Sequence, residues 1–244
     1  ADLDNDGDYD MMIGDGSGIS YFYQNTGSAT SPTWTASSTV NITDVGDYAK
    51  PAFADIDNDG DQDLLVGSGS GIAYGYKNTG SISYAVWTAE SNWNITIPQT
   101  NYYAAPAIAD LDNDGDLDLL IGSWNGLTFG YKNTGSATSP TWTRENTWDV
   151  ADIGDHSKPA LADLDGDGDY DMILGNIGTP IGYENTGSIS IPTWTASSTF
   201  NAPNSGSYQY PTLVDIDNDN DFDIYTGEQY GTSYAYRNAA TLFY

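Results

Sequence analysis

The chain has no cysteine in 244 residues, one histidine, and only six basic side chains. The missing cysteine rules out disulfides and thiol chemistry and leaves the redox compartment undetermined. With one histidine, a Ser–His–Asp triad would have to be built on His156. That residue sits in "IGDHSKPA" and reads as a solvated loop residue ahead of a strand. Six basic against 35 acidic side chains give a formal net charge of −29. Such a surface releases no counterions from phosphates, so nucleic acid and anionic membranes are excluded as partners. No apolar run approaches the roughly 18 residues a spanning helix needs, so no membrane insertion is expected. No leader-like segment is present either, and the chain starts inside a motif, which reads as a mature form or a fragment. Acidity of this order often signals disorder, but 13% aromatic and 39% hydrophobic content, regularly spaced, argue for a folded chain.

What is there repeats. The stretch "DLDNDGDYD" at Asp2 returns at Asp55, Asp110, Asp163 and Asp215, at spacings of 53, 55, 53 and 52 residues. A second marker keeps step, "YQNTGS" and its variants, with Asn25, Asn78, Asn133, Asn185 and Asn238. A third is the tryptophan of "PTWTASS" and its relatives: Trp34, Trp87, Trp142 and Trp194. Within the second unit, "KPAFADI", "DLLVGS", "GIAYGYKN" and "VWTAE" read as four short strands, and no stretch has helical periodicity. Four strands per unit of about 50 residues is the arithmetic of a propeller blade. The expectation is one all-β domain over residues 1–244, a five-bladed β-propeller with four-stranded blades. The first unit lacks the proline-bearing strand that Pro51, Pro106, Pro159 and Pro211 mark in the others. Thr241–Tyr244 ("TLFY") resembles "PTLV" and could fill that slot, or pair with a neighbouring molecule, because an open sheet edge invites pairing.

The aspartate loops have the pattern of a hard-cation cage. In D-x-D-x-D-G-x-x-D, positions 1, 3, 5 and 9 supply carboxylates, position 7 a backbone carbonyl, and the position-6 glycine a sharp turn. Loop one offers Asp2, Asp4, Asp6 and Asp10 with the carbonyl of Asp8; loop two offers Asp55, Asp57, Asp59 and Asp63 with Asp61. Loop three has Asp110, Asp112, Asp114 and Asp118 with Asp116; loop four has Asp163, Asp165, Asp167 and Asp171 with Asp169. Loop five has Asp215, Asp217, Asp219 and Asp223 with Asp221, and Asn220 stands where the others have glycine. Calcium fits this oxygen set better than magnesium, which prefers strict octahedral geometry, and zinc would want Cys or His. The five loops hold 25 of the 35 acidic residues, and five Ca²⁺ would bring −29 to −19. At a hundredfold excess over its dissociation constant, each ion would stabilise the fold by about 2.7 kcal/mol.

The stretch "PAFADIDNDGDQDLLVGSGSGIAYGYKNTG" resembles the FG-GAP/VCBS repeat, and the resemblance runs from Asp2 to about Asn238. It implies a β-propeller with calcium in the loop between the first two strands of each blade. It further implies roles in adhesion, surface assembly or carbohydrate association, with a seven-bladed integrin head as the familiar form against five repeats here.

Catalytic groups should break the repeat symmetry, which singles out Glu90, Trp93, Trp124, Arg144, Glu145, Trp148 and Glu228. Trp93 and Trp148 recur between blades and read as packing or rim residues. The repeated Tyr23, Tyr76, Tyr131, Tyr183 and Tyr236, with the four marker tryptophans, read as packing between blades, a lectin-like row being the alternative. Two NIT sequons, at Asn41 and Asn94, permit glycosylation. The expected function is a non-enzymatic structural or adhesive module at the cell surface or outside the cell, able to self-assemble into an oligomer or filament. Binding of glycans or surface proteins is the runner-up, and a polysaccharide hydrolase or lyase comes after it.

Overall fold

The computed structural model describes residues 1–42, 44–98, 103–204, 206–215, 221–228 and 230–237. The chain forms five antiparallel sheets in a ring, a five-bladed β-propeller. Blade one comprises β1 (Met11–Gly14), β2 (Ser20–Asn25) and β3 (Trp34–Ile42). Blade two comprises β4 (Lys50–Ala54), β5 (Asp63–Gly67), β6 (Ile72–Asn78) and β7 (Trp87–Ala89), with short β8 (Ile95–Thr96) also on β6. Blade three holds β9 (Ala105–Ala109), β10 (Asp118–Gly122), β11 (Thr128–Asn133) and β12 (Trp142–Arg144). Blade four holds β13 (Lys158–Ala162), β14 (Asp171–Gly175), β15 (Ile181–Asn185) and β16 (Trp194–Ala196). Blade five holds β17 (Tyr210–Val214), β18 (Asp223–Gly227) and β19 (Ser233–Tyr236).

The blades share one register. Pro51 faces Val66, Leu64 faces Tyr76 and Asn78 faces Trp87; Pro106–Ile121, Leu119–Tyr131 and Asn133–Trp142 repeat the pattern in blade three. The first strands β4, β9, β13 and β17 lie side by side around the axis. Four-stranded order holds in the middle three blades. Among the described residues, blade one has no counterpart of β4 and blade five none of β7. The strand expected at Thr241–Tyr244 lies outside the described residues.

The cores sit between blades. The second strand of each blade faces both neighbours, so it must be apolar on both sides, and DLLVG, DLLIG and DMILG are buried throughout. One core joins Leu65, Trp93 and Ile95 of blade two to Leu119, Ile121 and Phe129 of blade three. The next joins Leu120 and Trp148 of blade three to Met172 and Leu174 of blade four. A third packs Ile42, Val45 and Ala49 against Leu64 and Val66. Blades five and one meet at a pocket of about 170 Å³ lined by Asp2, Asp8, Tyr9, Trp34 and Asp215.

Three single turns of 3₁₀ helix were not legible in the periodicity: Ser91–Trp93, Asn146–Trp148 and Ser198–Phe200. They tuck Trp93 and Trp148 into the inter-blade cores, as the packing reading of these residues expected. The turns fit because the strand beneath them carries glycine: a Cβ on Gly75 would stand 2.3 Å from that of Trp93.

Candidate metal centres

In blades two to four the aspartate loop joins the first strand to the second, in blade one it leads into β1, and in all four its backbone is shaped at two points. Gly7, Gly60, Gly115 and Gly168 at position 6 take φ between 93° and 96°. Position 4 is left-handed too, at Asn5, Asn58, Asn113 and Gly166, a requirement the sequence reading missed although Asn and Gly are the residues that tolerate it.

Amide donors then pin the carboxylates. Asp2, Asp55, Asp110 and Asp163 at position 1 accept from the position-6 N–H at 3.0–3.1 Å. Asp6, Asp59, Asp114 and Asp167 at position 5 accept from the position-7 N–H at 3.1–3.3 Å. Position 9 does something further. One oxygen of Asp10, Asp63, Asp118 and Asp171 accepts from the amide at position 2, at 2.9–3.1 Å. The other accepts from the amide of Asn25, Asn78, Asn133 or Asn185, at 2.7–2.9 Å. That asparagine's own Oδ1 accepts two more amides, closing the NTG turn; in blade two these come from Gly80 and Val86 at 3.0 Å. The two sequence markers are therefore one hydrogen-bonded unit, signalled in the sequence only by their near-constant separation.

The result is a set of converging oxygens. In Asp2–Asp4–Asp6, Asp55–Asp57–Asp63, Asp110–Asp112–Asp118 and Asp163–Asp165–Asp171, one carboxylate oxygen of each residue lies within 4.8 Å of those of the other two. Several buried oxygens have no hydrogen-bond partner among the described residues: Oδ1 of Asp4, Asp57 and Asp112 at position 3, and of Asp8, Asp61, Asp116 and Asp169 at position 7. Position 7 thus brings a side chain to the loop in addition to the carbonyl assigned from the pattern. Burial pushes Asp63 and Asp118 up to about 7, and Asp171 to about 6, with neighbouring loop carboxylates adding to the rise. Orphaned, desolvated carboxylate oxygens fit a hard cation such as Ca²⁺. Of loop five, Asp215, Asp221 and Asp223 are described, whereas Asp217 and Asp219 lie outside the described residues.

Internal cations answer part of this charge. Lys77 Nζ donates to Asp57, and to Asp59 at 2.9 Å. Lys132 Nζ pairs with Asp112, and with Asp114 at 3.1 Å. Gln24 Nε2 donates to Asp4 in loop one. The hydrogen bond from Lys77 holds Asp59 below the usual carboxylate range.

The symmetry-breaking residues do not converge on one centre. Glu90 and Glu145 cap two of the 3₁₀ turns, accepting from the amides of Asn92 at 3.1 Å and Thr147 at 3.0 Å. Arg144 donates to Gly130 O at 2.7 Å and pairs with Asp149 at 2.5 Å, over the rings of Phe129 and Tyr131. Glu228 accepts from the amide of Thr232 at 3.2 Å. Among the marker tryptophans, Trp194 donates to the Trp148 carbonyl of the preceding blade at 3.1 Å, and Trp142 to Leu117 O at 3.0 Å.

His156 corrects the sequence reading: it is buried, not solvated. Its backbone is left-handed, as at the equivalent Tyr48, Tyr103 and Tyr208, and the four rings contact one another in turn. The His156 ring lies 3.9 Å from that of Trp124, tilted 53° to it, and burial lowers its pKa to about 4. Its Nδ1 has no hydrogen-bond partner among the described residues, so no triad is formed there. Beside it Lys50 Nζ lies 4.7 Å from the ring centres of both Tyr103 and Tyr210. Burial, with Lys158 nearby, lowers Lys50 to about 7.

Ring, repeat and loop together define a propeller of aspartate-loop blades. The family profile of the FG-GAP-like repeat matches residues 2–66, 110–174 and 163–226, and that of the FG-GAP repeat matches 49–84. The chain belongs to the FG-GAP repeat family. No curated protein sequence matches it. Among solved structures, the Tc holotoxin pore of Photorhabdus luminescens is similar with a TM-score of 0.47 and 15% identity. The match covers 97% of this chain but spans only 13% of that one.

Proposed function

We propose that the chain is a calcium-stapled β-propeller that serves outside the cell as a non-enzymatic structural or adhesive module. The observation that carries this is the orphaned, converging carboxylate oxygens of four loops. Bound calcium would supply the positive charge that lets these carboxylates share one site. Asp at positions 1, 3, 5 and 9 would hold it together with the position-7 residue, and position 9 would also tie the loop to the NTG turn. A fold stapled by calcium is at home where the ion reaches about 10⁻³ M, which favours an extracellular setting. A non-enzymatic role is supported by Glu90, Glu145 and Arg144 serving as caps and braces. Open edges on blades one and five, among the described residues, favour assembly through strand addition. Light scattering in calcium and then in chelator tests this: a large species that falls to smaller ones on chelation supports assembly, and a monomer in both removes it.

A glycan-binding module is the second reading. It rests on Tyr9, Tyr170 and Phe222, which occupy the same loop position in three adjacent blades and are 39–48% exposed. Sugar rings stack on such faces. A glycan array probed in calcium, with a Tyr9→Ala, Tyr170→Ala variant as control, separates this reading from the first.

A further inference from the structure

One strand position reaches the aspartate loop in blades one to three and carries different residues around the ring. It is the residue just before the NTG asparagine: Gln24, Lys77, Lys132 and Glu184 in blades one to four. Its register is constant, opposite Thr35, Thr88, Thr143 and Thr195, so the four side chains leave the same face of the third strand. In blades two and three the ammonium already sits on the carboxylates of positions 3 and 5. In blade one a neutral amide donates to position 3. In blade four the residue is an acid, and Glu184 forms no ion pair among the described residues. The position-3 carboxylates follow suit. Those of Asp57 and Asp112, held by lysine, are 12% and 8% exposed, whereas Asp165 stands open to solvent.

We propose that this residue grades the loops for their cation, with loop four the tightest, loop one intermediate, and loops two and three the weakest. The inference rests on the calcium reading above. An ion entering loop two or three must displace or share with an ammonium that already bonds two of its ligands. An ion entering loop four meets an extra carboxylate. Solvent screening and the freedom of a long side chain to swing away leave a difference of about tenfold in affinity per site, or about 1.4 kcal/mol. The grading gives the ring two regimes. As calcium falls, loop four empties after the others. Loops two and three lose theirs first but keep a built-in counter-ion, so their blades hold shape.

The test is calcium binding by the full chain, stripped by chelator and titrated at buffered free calcium, with bound ions counted by native mass spectrometry. Lys77→Gln, Lys132→Gln and Glu184→Gln each install the residue blade one already carries, and circular dichroism on each sample reports folding. The double lysine variant should tighten two sites about tenfold, and E184Q should weaken one by a similar factor. The triple variant should bring these three loops to the affinity of loop one. Unchanged stepwise affinities in a variant that still holds its full complement of ions would overturn the grading alone. A wild-type chain that binds no ion at millimolar calcium would overturn the calcium reading itself.

Discussion

At the scale of single residues, position 9 of each loop has two separable duties. Asp118 accepts the buried amides of Leu111 and Asn133, whether or not an ion is present. Removing it strands two donors at about 1–3 kcal/mol each. Asp118→Ala should therefore lower stability by about 2–6 kcal/mol in both calcium and chelator, as read by denaturant titration. Asp114→Ala, at a ligand position whose bonds to the Asp116 amide and Lys132 are exposed to solvent, should cost little in chelator and more in calcium. Equal losses for the two variants in chelator would show that position 9 is a ligand and nothing more. Lys50 gives a second residue-level expectation. Its folded pKa of about 7 lies below the ordinary 10.5. Below pH 7 both folded and unfolded chains carry the proton, and the cost of burying the charge is fully present. Between pH 7 and about 10 the unfolded chain keeps a proton the folded chain has released, so stability rises with pH. Denaturation at pH 7, 8 and 9 in saturating calcium should show that rise, and Lys50→Met should reduce it to the part that buried Lys158, lowered to about 8, contributes; the same slope in both proteins would count against the assignment.

At the scale of elements, the strands were legible because their burial leaves a compositional trace. β5, β10 and β14 are apolar on both faces, and β4, β9, β13 and β17 carry proline one residue in, at Pro51, Pro106, Pro159 and Pro211. The 3₁₀ turns left no such trace. They last one turn, and two are capped by glutamate where Ser, Thr, Asp or Asn would be the recognisable signal. The left-handed backbone at His156 was equally hidden, because histidine does not announce positive φ as glycine does, and a histidine buried among aromatic rings was read as a wet loop. The fit of turn on strand yields a prediction. Gly75→Ala drives a Cβ into Trp93 and Gly130→Ala into Trp148, at 2.3 and 2.5 Å. Each should cost about 1–3 kcal/mol and expose the tryptophan, measurable as a red-shifted emission with a lower melting temperature. Substitution without either change would mean the 3₁₀ turns are free to lift.

At the scale of the whole molecule, the repeat spacing was enough to read the ring, and the aspartate pattern enough to locate the candidate centres. What the pattern hid was the coupling between loop and NTG turn, and the lysines reaching back some 20 residues to their own loops. Both depend on strand register, which only the folded sheet displays. A chain of net charge −29 with 25 aspartates gathered in five loops carries its instability in those loops. If each loop's ion contributes about 2.7 kcal/mol, their sum rivals the total stability of about 5–15 kcal/mol usual for a domain. The direct measurement is thermal unfolding followed by circular dichroism, in millimolar calcium and then in excess chelator at the same ionic strength. The account predicts a cooperative transition in calcium that falls steeply, or is lost, on chelation and returns when calcium is restored. An identical transition in both conditions would contradict it.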